Sequence, residues 1–106
     1  MIIKLYKTPS GRCPIEDFIE GLSKNDQASF ADVRKGIVDW GLSFTEVKFR
    51  HLAGKLWEIK FNSNDGGYRI AYVVIDADIM VWLHAFKKAS QKTPKRDLET
   101  AIKRMR

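Results

Sequence analysis

From residue 56 the apolar residues of two successive segments recur at every second position, and this alternation limits the fold more than any other feature. In "LWEIKF" Trp57, Ile59 and Phe61 point one way, and Leu56, Glu58 and Lys60 the other. "NSNDGG" supplies Asn, Asp and Gly, which tolerate the positive φ of a hairpin loop. "YRIAYVVI" then sets Tyr68, Ile70, Tyr72 and Val74 on one face and Arg69, Ala71, Val73 and Ile75 on the other. After a turn at "DAD", the nearly all-apolar "IMVWLHAF" reads as a strand covered on both faces. Three strands in immediate succession, joined by short turns, make an antiparallel meander.

The first half has a different period. "MIIKLYK" is rich in β-formers and reads as a strand over residues 2–7, ended by the turn chemistry of "TPSGR". Pro14 suits a first helical position, and Ile15, Phe18, Ile19 and Leu22 fall at helical spacing over about ten residues. A second helix is expected over residues 25–40, with Phe30, Val33, Ile37 and Trp40 on one stripe and Gly41 as its stop. Residues 41–55 read as a polar connection that holds His51 and has room for a short extended piece. Thr93 and Pro94 suit the N-cap and first position of a last helix, with Leu98, Ile102 and Met105 inward and Lys95, Arg96, Lys103, Arg104 and Arg106 in water. The expectation is one α+β domain over residues 1–106, ordered β-α-α-β-β-β-α. Its small twisted antiparallel sheet takes the first strand at an edge. The helical pair covers one face and leaves the other partly open towards Lys60 and Arg69. Trp40, Trp57 and Trp82 are expected in the core, and His84 on one strand face with Trp82 and Phe86.

No apolar run approaches the roughly 20 residues that span a bilayer, and the N-terminus lacks the pattern of a signal peptide. A lone cysteine, Cys13, cannot close an internal disulfide, so the reducing cytoplasm is the expected compartment. The net charge is +6, and its distribution is uneven. Residues 1–47 carry six Lys and Arg against seven Asp and Glu, whereas residues 48–106 carry thirteen against six. A cationic half of this kind suits a phosphate-bearing partner, although solubility alone also favours net charge. The excess is densest in "HAFKKASQKTPKR", which holds Lys87, Lys88, Lys92, Lys95 and Arg96 with no acid among them. Neither a metal-ligand cluster nor a Gly-rich phosphate loop is present in the sequence.

"LWEIKF", "YRIAYVVID" and "WLHAFKKASQKTPKRDLETAIKRM" together resemble the RelE/ParE toxin superfamily of bacterial toxin–antitoxin systems, in particular its phage-related HigB-like branch. The order of elements matches over the whole chain, and specific motifs match from about residue 54 onward. The resemblance implies a RelE-like fold and a metal- and cofactor-independent mRNA endoribonuclease that works on the translating ribosome. It implies as partners the ribosome, mRNA and a cognate antitoxin, commonly a helix-turn-helix HigA-like protein. Carried over by position, the strand motif "K-x-K" reads Glu58-Ile59-Lys60 here, so Lys60 matches and Glu58 departs. The arginine of "YR" is Arg69, and the basic residue after the last strand is Lys88, with Lys87 beside it. The tyrosine that RelE-like toxins carry near the C-terminus has no counterpart.

RNA cleavage by its own 2′-hydroxyl needs a base, positive charge on the phosphorane and an acid for the leaving oxygen. The expected catalytic set is Lys60 as base or electrostatic stabiliser, Arg69 as phosphate clamp, Lys88 or Lys87 as clamp or acid, and Glu58 as base or as salt-bridge partner of the cations. Arg50, Lys87, Lys92, Lys95 and Arg96 are expected to bind RNA phosphates. The plain alternative is that Lys60 and Arg69 are outward strand residues paired with Glu58. A ParE-like toxin that binds DNA gyrase without cutting, or a basic nucleic-acid- or protein-binding module, would satisfy the same composition.

Overall fold

The computed structural model describes residues 1–106 as five strands and three helices. In chain order these are β1 (Ile2–Leu5), α1 (Pro14–Glu20), α2 (Lys24–Trp40), a 3₁₀ turn (Gly41–Ser43), β2 (Lys48–Ala53), β3 (Leu56–Ser63), β4 (Gly66–Asp76), β5 (Ile79–Lys87) and α3 (Lys95–Met105). The sheet order is β1-β5-β4-β3-β2; β1 runs parallel to β5 and every other pair is antiparallel. No helix is long and apolar enough to cross a membrane.

The α+β class and the meander agree with expectation, and β1 does join at an edge, but it does so parallel to β5, so the sheet is mixed and not wholly antiparallel. The extended piece allowed for within the polar connection is a full strand, β2, paired with β3, so the sheet has five strands. Its Lys48 and Arg50 stand opposite Lys60 and Glu58. The first strand ends at Leu5, two residues early, and α1 is seven residues long.

Local chemistry sets the element ends. Ser23 caps α2 by accepting from the Asp26 amide at 3.2 Å, and Gly41 ends it at φ 59, with its amide on the Ile37 carbonyl. Gly66 opens β4 at φ 142, a value L side chains rarely adopt. The start of α2 is tied to the β3–β4 hairpin through Asp26, which is buried and accepts from the Ser63 and Tyr68 hydroxyls.

The sheet is buried on both faces. On one, Ile59, Phe61, Tyr68, Ile70, Tyr72, Met80 and Trp82 pack with Ile15, Phe30, Val33 and Ile37 of the helical pair. On the other, Leu56, Ala71, Val73 and Leu83 pack against Ala101, Leu98 and Ile102 of α3. The second face is therefore closed by α3, and Arg69 lies beneath the cover instead of on an open surface.

Three other expectations change. Trp82 is core, but Trp40, the last residue of α2, is 68% exposed, and Trp57 is 39% exposed beside a groove that no residue of the helical pair lines. Pairing steps from Ala71–His84 to Tyr72–Trp82, which leaves Leu83 as an extra residue in β5. His84 consequently faces α3, stacked on Phe86 and 2.8 Å from Asp97, while Trp82 faces the helical pair. Arg104 is turned inward, donating to the Leu83 carbonyl at 3.0 Å and lying over the Tyr6 ring, whereas Met105 is exposed.

A candidate phosphate-binding site

Two neighbouring cross-strand rows build the site. Lys48 of β2, Lys60 of β3 and Arg69 of β4 stand opposite one another in one row. In the next row Arg50 stands opposite Glu58. Like charges directly opposed on adjacent strands destabilise a sheet, with Cβ atoms only about 5 Å apart. A row of three cations is thus a place where the sequence works against its own fold, as functional sites commonly do.

Lys60 is half-buried and lines a polar hollow of about 230 Å³ together with Lys48, Lys88, Thr45, Glu46 and Asn62. Its ammonium is pushed below the ordinary lysine range, first by burial and then by the charges of Arg69, Lys88 and Arg50, with Glu58 opposing. Lys88 reaches the hollow because its amide donates to the Gly67 carbonyl at 2.8 Å, continuing the β4–β5 pairing by one step. Gly67 leaves the room: a Cβ there would lie 3.0 Å from the Asn62 Oδ1 and 3.3 Å from the Lys88 Cδ.

Glu58 and Arg69 sit under the chain that links β5 to α3, and both are buried. Glu58 Oε1 is 3.0 Å from Arg50 Nη2 and 3.7 Å from Arg69 Nη1. Glu58 Oε2 accepts from the Thr93 hydroxyl at 2.8 Å. Arg69 Nη1 donates to Thr93 Oγ1 at 3.1 Å, and Nη2 donates to the carbonyls of Ser90 at 2.6 Å and Gln91 at 2.8 Å. Arg50 Nη2 also reaches Thr93 Oγ1, at 3.2 Å.

The expected residues therefore fall into three groups. Lys60 and Lys88 meet at the hollow. Glu58, Arg69 and Arg50 form a buried network beside it. Lys87, Lys92, Lys95 and Arg96 are exposed and line no part of the hollow, and Lys95 is within 3.9 Å of Glu99 on its own helix.

Two contributors escaped sequence reasoning. Lys48 lay in the stretch read as connection; its alternation with Phe49 and Arg50 was the available signal. Thr93 read as an N-cap, but Pro94 occupies that position, and the Thr93 hydroxyl bridges Glu58, Arg69 and Arg50 instead. Neither histidine reaches the hollow. His51 bonds the Gly54 carbonyl through Nε2 at 2.7 Å. His84 is held neutral-leaning by burial, against the pull of Asp97.

The end of the sheet that the helical pair leaves bare forms a second, apolar groove of about 620 Å³. It is lined by Leu42, Phe49, Trp57, Tyr72 and Val74, with Lys55 as its one charge.

No curated protein matches the chain. The model of the phage-derived Gp49-like protein family matches residues 17–106. That span takes in every strand of the meander, the cationic row, the Glu58–Arg69 network and α3, and so the chain belongs to the phage-derived Gp49-like proteins, a family of RelE-like toxin-type proteins.

Proposed function

We propose that the protein is the toxin of a type II toxin–antitoxin pair and cleaves mRNA on the ribosome. The observation that carries this reading is the opposed row Lys48–Lys60–Arg69, ending beside Lys88 at a polar hollow. Such a row costs stability and suits a phosphate-bearing chain.

In the proposed reaction the 2′-oxygen of one nucleotide attacks the adjacent phosphorus in line, and the bond to the 5′-oxygen of the next nucleotide breaks. The products are a 2′,3′-cyclic phosphate and a 5′-hydroxyl. Lys60, with its depressed ammonium pKa, supplies the amine that accepts the 2′-hydroxyl proton. Lys48 and Lys88 offset the charge growing on the non-bridging oxygens, and Lys88 lends the proton that the leaving oxygen needs. Arg69 is the clamp for the phosphate, as its planar fork suits two oxygens at once. Of the two roles open to Glu58, its burial and its contacts with Arg50, Arg69 and Thr93 favour the partner that holds the cations. Lys87, Lys92, Lys95 and Arg96 serve the longer-range attraction to RNA. The proposed partners are the ribosome, mRNA and an antitoxin of the helix-turn-helix HigA-like kind.

A second reading, a toxin that binds DNA gyrase without cutting nucleic acid, draws on the apolar groove and its exposed Trp57, a residue type enriched where proteins meet. Mapping mRNA 5′ ends on programmed ribosomes separates the two. Cuts at the ribosomal A-site that disappear in Lys60→Ala and Lys88→Ala, with EDTA-treated free RNA as the control, are the expected result. Intact message with DNA damage on induction would replace the nuclease with the gyrase-directed reading.

A further inference from the structure

The Arg69 guanidinium is bound by three oxygens of a single short segment. Ser90 and Gln91 contribute carbonyls at 2.6 and 2.8 Å, both to Nη2, and Thr93 contributes its hydroxyl to Nη1 at 3.1 Å. The side-on edge of a guanidinium consists of Nε and Nη2. Here Nη2 carries two acceptors while Nε, buried, has none. Two oxygens on one tetrahedral centre would fill that edge better than the chain does.

Charge points the same way. Arg50 and Arg69 share one carboxylate, Glu58, and the surplus positive charge is met only by dipoles of the segment. The Glu58 Oε1 that faces both guanidiniums accepts no hydrogen bond. Residues 89–92 of the segment are themselves exposed and have no regular structure. Directly alongside lies Lys60, opposite Arg69 in the register.

We propose that residues 89–93 form a displaceable strap whose oxygens occupy the seat of an RNA phosphate diester on Arg69. Substrate lifts the strap, and the freed guanidinium extends the row of Lys48 and Lys60 into one continuous anion site. The inference rests on the RNA-cleaving reading for its ligand, and it adds that the resting protein is latent. A charged diester outcompetes neutral carbonyls because hydrogen bonds between two ionised groups are the stronger kind.

The test uses the full chain and a 2′-O-methyl RNA tetranucleotide, which cannot be cleaved. In NMR relaxation, the backbone order parameters of residues 89–93 should fall in the complex, while the amides of β3 and β4 exchange more slowly with solvent. Thr93→Val removes the hydroxyl that ties the strap to Arg50, Arg69 and Glu58, and should bind the tetranucleotide at least roughly fivefold tighter, the value of one of those hydrogen bonds. Thr93→Ser should return the wild-type Kd. Higher order parameters in the strap of the complex, weaker binding by Thr93→Val, or no binding by either protein would overturn the proposal. Cleavage on programmed ribosomes is read separately. Message cut by a protein whose strap stays closed would sink the strap alone; a strap that opens over uncut message would sink the nuclease reading alone.

Discussion

Arg69 and Glu58 lie one diagonal step apart on β4 and β3, with Nη1 3.7 Å from Oε1, and neither side chain is more than 1% exposed. Charges this deep are held by their partners, and removing one leaves the other buried without compensation. Glu58→Gln should therefore cost about 3 kcal/mol, read from chemical denaturation. The variant keeps the shape of the side chain, so the loss reports charge. Stability equal to wild type would mean that water reaches Arg69 and that the burial described above is not maintained in solution.

Lys48 and Lys88 differ from that pair because they line the hollow without anchoring the core. Lys88→Ala should lower ribosome-dependent cleavage by roughly 100-fold, the scale seen when one preorganised charge-stabilising donor is removed, with the melting temperature unchanged. Lys48→Ala should lower cleavage too, and should raise stability slightly by removing one of three opposed cations. Toxicity and melting temperature falling together in Lys88→Ala would assign it to the fold.

Much of this arrangement was readable beforehand, and what was not has identifiable causes. The strict alternation in Leu56–Phe61 and Tyr68–Val74 puts the correct residues on each face, including Lys60 and Arg69 on the side away from the helical pair. β2 was legible only as a short extended piece because an edge strand carrying Lys48, Arg50 and His51 looks like loop by composition; charge on an edge is how sheets avoid pairing with strangers. The bulge at Leu83 escaped because a continuous apolar run carries no alternation to interrupt, so His84 could not be separated from Trp82. Trp40 and Trp57 escaped because helical or strand period gives the direction of a side chain and not how far the opposing layer reaches. The strap contacts of Arg69 are made by backbone oxygens, which no residue type announces.

The depressed pKa of Lys60 predicts how both activity and stability follow pH. In the nuclease reading, cleavage should rise with pH until the Lys60 ammonium is titrated. Stability has the same sign. In the pH range between the folded value and 10.5, the value expected when unfolded, the unfolded chain binds more protons, so Lys60 contributes a gain in stability as pH rises. Lys60→Met should remove that contribution, seen as a smaller gain between neutral pH and pH 10 in a comparison of denaturation midpoints. An identical pH profile in wild type and variant would show Lys60 to be solvated like a surface lysine.

Gly36 lies in the middle of α2 with Phe44 directly over it: a Cβ would come within 2.2 Å of the ring. The helix is bare there so that the segment leading into β2 can lie close. Gly36→Ala gains helix propensity worth about 1 kcal/mol, yet must expel the Phe44 ring or shift the helix. Overpacking of this kind costs about 1–3 kcal/mol, so the net effect should be destabilising. Gly36→Ala combined with Phe44→Ala should be less destabilised than the two single effects added together. A stabilised Gly36→Ala protein would show that Phe44 leaves this position freely.

Asp26 and Tyr68 give the last prediction, since one buried hydrogen bond contributes to both the acid and the alkaline limb of stability. The Asp26 carboxyl is held below the usual 3.8, first by the Ser63 hydroxyl and then by that of Tyr68. Its contribution is present above the unfolded value and disappears as pH falls through the lower folded one. The Tyr68 phenol is pushed up to about 12 from 10.0, first by burial and then by its bond to Asp26. Its contribution is complete below pH 10 and is lost as pH rises towards 12. Asp26→Asn should therefore flatten the acid limb and also lower the pH at which Tyr68 ionises, because the carboxylate that helps keep the phenol protonated is gone. Tyr68→Phe should leave Asp26 held down by Ser63, the Asp65 amide and the Lys87 charge, moving the acid transition to higher pH. Ultraviolet titration of tyrosine alongside acid denaturation reads both limbs. Independent behaviour of the two, with Asp26→Asn leaving the phenol titration unchanged, would show that the hydrogen bond across α2 and β4 is not made.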